Sequence, residues 1–156
     1  MTKYNRVVRI DHKADDLFEL VSDIDNYPKF IRWIQRMDVE TLSSEGARTS
    51  RIGTAKVGFK GFSETMSTRV DTNSDDRTIH VSLVKGPLKH LENSWTFKPK
   101  GDRTDIEFSV DFEFRNFLLR ALAAANFEIA VNRIMAAFIA EADRRYGKKQ
   151  GRGEKA

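Results

Sequence analysis

The chain has 156 residues, a net charge of +4 and no cysteine. That length makes one domain, which buries about 70% of its unfolded surface and needs no staples to hold a core. Disulfides, thiolate nucleophiles and Cys-based zinc or iron–sulfur sites are excluded, and a reducing compartment fits.

Residues 1–9 carry charges with no apolar run behind them, which argues against a signal peptide. Tyr4 to Ile10 reads as a first strand, with Val8 and Ile10 on one face and Val7 on the other. Ala14 to Ile24 changes period: Leu17, Phe18, Leu20, Val21 and Ile24 repeat at helical spacing, with Asp15 and Asp16 at the positive end. Asn26-Tyr27-Pro28 punctuates the chain, because Pro28 pushes Tyr27 out of helical geometry. Phe30, Ile31, Trp33 and Ile34 then predict a second short helix or turn.

Alternation dominates from there to Phe114. Strands are expected around Met37–Thr41, Ile52–Phe59, Phe62–Val70, Ile79–Leu83 and Leu91–Phe97, separated by polar or Gly/Pro turns. In the last strand Ile106, Phe108, Val110, Phe112 and Phe114 alternate strictly with Asp105, Glu107, Ser109, Asp111 and Glu113, which is one buried face and one wet face.

The stretch from Asn116 to Tyr146 lacks Pro and Gly. Wound as a helix it puts Phe127, Val131, Ile134, Met135 and Phe138 on one side, with Asn126, Asn132, Arg133, Asp143 and Arg144 largely on the other. Asn116 is placed to cap its start and Gly147 to end it. A helix of about 45 Å outruns a small domain, so a bend or break is expected near Asn126. Leu118, Leu122 and Ile129 lie off the main stripe and read either as ordinary exposed apolar residues or as a contact surface. No window is expected to reach the roughly 20 apolar residues of a membrane span, since Arg120, Glu128 and Arg133 interrupt the best one. The basic tail, from Arg144 and Arg145 through Lys148, Lys149, Arg152 and Lys155, is either a solvated end or a segment drawn to phosphates and anionic headgroups.

The resulting order is one strand, two short helices, six strands and a long helix: α+β, with a curved antiparallel sheet of about seven strands whose apolar face is covered by the last helix. A twisted sheet curled round one helix is a grip, and the gap between them is a natural cavity. Residues 1–147 are expected to form that domain, with 148–156 outside it.

Motifs for catalysis are missing. His12, His80 and His90 have no metal-ligand spacing, and no specific DNA-reading motif is present. Asp105, Glu107, Asp111 and Glu113 resemble an acid–base pair at strand spacing, but a solvated face explains them fully. What remains is apolar surface at turns: Phe59-Lys60-Gly61-Phe62, Gly86-Pro87-Leu88 with Leu91, and Trp33. These form either a greasy rim to the cavity or local caps on the core. An apolar ligand gains about 0.8 kcal/mol for each CH₂ buried, so isoprenoid units bind without an ion pair. Asn93 and Tyr27 can offer donors to a quinone, whose oxygens only accept.

Four blocks are familiar together. Residues 21–33, VSDIDNYPKFIRW, resemble the V-x-D-x-x-x-Y-P-x-F-x-x-W segment of the coenzyme Q-binding START-like proteins of the polyketide cyclase/dehydrase superfamily. Phe59-Lys60-Gly61-Phe62 with Thr68-Arg69-Val70, the block from Gly86 to Phe97, and Val110–Phe114 with Leu118-Leu119 are similar to that family's later segments. The resemblance runs from about Tyr4 to Tyr146, with Lys13 where relatives often have a capping Ser and Leu88 where they have Phe. It implies a helix-grip (START/Bet v 1-like) fold, binding of ubiquinone or a similar polyprenyl lipid, and a supporting role in respiratory electron transfer. Bacterial members are also called ribosome-association toxins, and other helix-grip proteins are aromatic polyketide cyclases or dehydratases.

The expectation is therefore a cytoplasmic lipid carrier, peripheral to the inner membrane, with no catalytic cofactor. Its pocket or rim is expected at Tyr27, Pro28, Trp33, Phe62, Leu91, Asn93, Trp95, Phe108, Phe112, Phe127, Val131 and Met135. A ribosome-binding regulator, with a ribosomal subunit as partner, is the second reading. A polyketide cyclase is the third and requires an acid such as Glu64 or Glu92 in the cavity.

Overall fold

The computed structural model describes residues 2–59 and 61–147, with only the backbone described at 2, 59 and 62. The basic tail 148–156 lies outside the described residues. The elements run β1 (Thr2–Ile10), α1 (Ala14–Ser22), a 3₁₀ helix (Ile24–Lys29), β2 (Ile34–Glu45), β3 (Arg48–Phe59), β4 (Phe62–Asn73), β5 (Thr78–Lys85), β6 (Leu88–Lys100), β7 (Arg103–Phe114) and α2 (Phe117–Tyr146). One seven-stranded sheet has the order β1-β7-β6-β5-β4-β3-β2, antiparallel throughout. The chain reaches β2, at the far edge from β1, by way of α1 and the 3₁₀ helix. This is the α+β helix-grip architecture that the alternation implied.

The alternation sets which side chains meet α2. Trp95 lies opposite Phe108 and Phe97 opposite Ile106 across β6 and β7. Trp95 and Phe108 meet edge to face at 4.8 Å, and Phe138 of α2 packs on Trp95 at 5.6 Å. Ile10, Leu17, Leu20, Ile24, Val131 and Met135 complete one contiguous core. On the outer face of β7 the acidic positions pair across strands: Asp105 with Arg9 at 2.7 Å, Glu107 with Lys98 at 2.8 Å. That arrangement is a laced solvated face.

α1 is preceded by Lys13 at its N-cap, whose backbone is extended (φ −69°, ψ 146°) and whose side chain cannot cap it. It ends at Ser22, two residues earlier than the periodicity implied. The second helix is also displaced. It runs through Tyr27 and Pro28, and the residues after it, 30–33, take the turn that was the other reading, closed from Ile34 N to Ile31 O at 3.0 Å. Pro28 removes one donor, but three-residue turns close on either side of it, from Asn26 N to Asp23 O and from Phe30 N to Tyr27 O, both 3.2 Å.

α2 is a single unbroken helix of 30 residues, with no break near Asn126. The Asn116 side chain accepts from the backbone N–H groups of Leu118 and Leu119, and Gly147 ends the helix at φ 83°. Asp143, expected opposite the apolar stripe, is only part-exposed and accepts from His12 at 2.8 Å. His12 itself is fully buried, a position that periodicity did not single out. The expectation about membrane-length segments is also corrected. The best 18-residue window of α2 has a mean hydropathy of 1.4, long and apolar enough by composition to cross a bilayer, and only 17% of that window is buried.

Candidate functional site

Two ends of α2 are held very differently. At its C-terminal end Glu141 is buried and takes Arg144 at 2.6 Å and Arg145 at 2.8 Å. These guanidiniums, Arg144 foremost, hold the Glu141 carboxyl down at about 2. Arg145 also reaches Asp23 at 3.1 Å and lies 5.9 Å over the Phe30 ring. Tyr146 donates to Glu19 at 3.0 Å, and burial first, then that carboxylate, pushes its hydroxyl up to about 12. The helix end is thus clamped to α1 and to the 3₁₀ helix.

The clamp leaves a groove beside it of about 550 Å³, lined by Phe30, Arg32, Trp33, Gly58, Arg133, Ala136 and Ala137. One wall is α2, where Ala136 and Ala137 leave space that longer side chains would fill. The other is the segment between the 3₁₀ helix and β2, held to the end of β3 by a 2.9 Å bond from Gly58 N to Trp33 O. The Gln35 side-chain amide lies over Gly58, where a Cβ would stand 2.2 Å from its nitrogen and displace it. The floor is aromatic and methyl surface. The lip carries two guanidiniums, Arg32 and Arg133, which have no carboxylate partner among the described residues. Such a groove takes an apolar body and offers fixed donors to carbonyl or anionic oxygens.

A second hollow of about 180 Å³, lined by Arg9, Ile10, Asp11, Arg103 and Ile139, lies at the other end of the sheet. Its charges are spent on neighbours, Arg103 on Asp11 at 2.6 Å and Arg9 on Asp105.

Of the twelve residues expected at the site, Trp33 lines the groove. Trp95, Phe108, Phe112, Val131 and Met135 are buried in the core. Tyr27, Pro28, Leu91, Asn93 and Phe127 are half-buried, and the side chain of Phe62 lies outside the described residues. Both donors expected to orient a headgroup are already engaged. The Tyr27 hydroxyl donates to the Val21 carbonyl, and burial drives its pKa far up. Asn93 donates to Ser109 O at 2.7 Å and accepts from Trp95 Nε1 at 2.8 Å. Leu88, read as rim or core cap, is core. A register shift between Leu88 and His90 turns it inward. Glu64 is exposed, and Glu92 pairs with His80 at 2.7 Å on the outer face.

Arg32, Gly58, Arg133, Ala136 and Ala137 were not singled out from sequence. Helical spacing puts Arg133 beside Ala136 and Ala137, which was the available signal. The approach of Gly58 to Trp33 leaves none.

A curved sheet gripping one long helix over an apolar groove defines a START-like domain. Residues 10–139 match the family described as polyketide cyclase/dehydrase and lipid transport, and the chain belongs to that family. It is 31% identical to the ribosome association toxin RatA of Escherichia coli K12 over 87% of this chain and 84% of that protein. It is 30% identical to the mitochondrial coenzyme Q-binding protein COQ10 of Drosophila melanogaster over 92% of this chain, which spans 60% of that longer protein. An 18 kDa protein from Caulobacter crescentus of solved structure is 40% identical, with a TM-score of 0.80 over 95% of this chain and all of that one. Zhui aromatase/cyclase from Streptomyces sp. R1128 shares the fold at 20% identity, with a TM-score of 0.78 over 96% of this chain and 98% of that one.

Proposed function

We propose that this chain carries a hydrophobic polyprenyl lipid, ubiquinone or a close analogue, in support of respiratory electron transfer, and performs no covalent chemistry on it. The groove carries the reading: an apolar floor of Phe30, Trp33, Ala136 and Ala137, with Arg32 and Arg133 placed to donate to headgroup oxygens. The relative named for coenzyme Q binding supports the same choice of ligand. In this reading Tyr27, which packs on Phe30 at 5.9 Å, and Pro28 back the groove, while Phe127 packs away from it on Tyr4 and Phe112. Trp95, Phe108 and Phe112 of the sheet and Val131 and Met135 of α2 belong to the core and do not line the groove. Lipid extraction of the purified chain, followed by mass spectrometry and quinone titration, tests it. Co-purified quinone, or saturable binding of added quinone, is expected; neither being found contradicts it.

A second reading, a regulator that blocks association of ribosomal subunits, is favoured by the similarity to RatA. It predicts co-sedimentation with isolated subunits that is lost at moderate salt, as phosphate-directed binding requires. Unchanged subunit profiles at low salt would remove it.

A further inference from the structure

We propose that the N-terminal half of α2, together with the turn between β5 and β6, docks on an anionic lipid bilayer. Phe117, Leu118, Leu122 and Ile129 are exposed to 79, 62, 47 and 53%. An exposed apolar run of this kind is costly in water unless something covers it. Leu118, Leu122, Ala125 and Ile129 recur every three or four residues and therefore lie along one side of the helix. Continuing that spacing reaches Arg133 and Ala136, which line the groove. The exposed stripe runs directly into the groove wall.

Charge selects the occupant. The register of Leu88 opposite Phe114, and a 3.0 Å bond from Arg115 N to Pro87 O, bring the β5–β6 turn beside the start of α2. Residues 85–89 and 113–130 hold Lys85, Lys89, Arg115 and Arg120 against two carboxylates, Glu113 and Glu128. Glu113 lies 3.6 Å from Lys89 and 3.7 Å from Arg120, while Lys85 and Arg115 have no carboxylate partner among the described residues. A second copy meeting this face through the same surface would set like charges together. Anionic headgroups complement it, with the apolar side chains entering the acyl boundary. The helix lies on the bilayer and does not cross it, because Val131, Met135, Phe138 and Ala142 hold its other half in the core.

This surface is independent of which ligand fills the groove, and vesicles without quinone test it. The full chain is floated with phosphatidylcholine vesicles, with and without about a third phosphatidylglycerol. The same is done for Phe117→Ser/Leu118→Ser/Leu122→Ser and for Lys85→Glu/Arg115→Glu, each first shown by circular dichroism to melt cooperatively. The wild-type chain is expected to partition at least about tenfold better onto the anionic vesicles, and each variant to lose about tenfold. Three results would overturn the proposal. One is no partition of the wild-type chain. Another is partition unchanged in both variants, which would assign it to residues outside this surface. The last is a dimer in sedimentation equilibrium, broken by the triple substitution, without vesicle binding.

Discussion

Lys13 and Glu141 show how single side chains set the stability of this domain. Lys13 occupies the N-cap of α1 with the right backbone and no acceptor to offer the free N–H groups. Lys13→Ser supplies that acceptor and is expected to raise stability by about 1 kcal/mol in urea denaturation. Glu141 works through charge. Its carboxyl titrates at about 2 in the folded chain against an ordinary 4.5. A depressed acid stabilises the fold above its unfolded pKa, and that contribution is lost as pH falls from about 4.5 toward 2. With Arg144 largely exposed and screened, the contribution is about 1–2 kcal/mol at neutral pH. Glu141→Gln should lose that amount at pH 7 and flatten the acid limb of stability against pH. Denaturation at pH 7, 4.5 and 3 reads both effects. Residues such as these were legible only where their partner is near in sequence. Asn116 could be read as a cap because its targets are Leu118 and Leu119. The pairing of His12 with Asp143 spans 131 positions, and nothing local in either residue announces it.

At the scale of elements, period and punctuation carried most of the fold. Strict alternation from Ile106 to Phe114 fixed which face of β7 is buried, and the 3.6-residue recurrence of Val131, Met135 and Phe138 fixed the covering side of α2. Pro28 reads as a break, yet the helix lies across it and the turn follows, because a helix of two short turns tolerates one missing donor. The groove wall was hidden for a different reason. It depends on where β3 ends relative to Trp33, which is a matter of tertiary approach, fixed by the bond from Gly58 N to Trp33 O. The uneven anchoring of α2 makes its own prediction. Clamped by Arg145, Tyr146 and Asp143, the C-terminal half should show hydrogen-exchange protection close to that of global unfolding. The half from Phe117 to Ala130 should exchange faster by about a hundredfold, read by proteolytic fragment mass. Uniform protection along the helix would contradict this picture of a helix pinned at one end.

The whole molecule is a sheet that closes firmly on one end of its helix and leaves apolar side chains of the other end exposed. The core of Trp95, Phe97, Phe108 and Phe138 gives rigidity where α1 and α2 meet the sheet. The groove and the apolar stripe lie along the less embedded side of α2, where a lipid passing between bilayer and protein would keep its chain out of water throughout. Carriage as proposed requires that lipid enter the groove beside Trp33. The chain has two tryptophans, Trp33 at the groove and Trp95 in the core, so their fluorescence separates the site from the interior. Titration with a short-chain ubiquinone should give saturable quenching in the wild-type chain and lose most of it in Trp33→Phe, with the fold intact by circular dichroism. Equal saturable quenching in Trp33→Phe, or none in the wild-type chain, would contradict it.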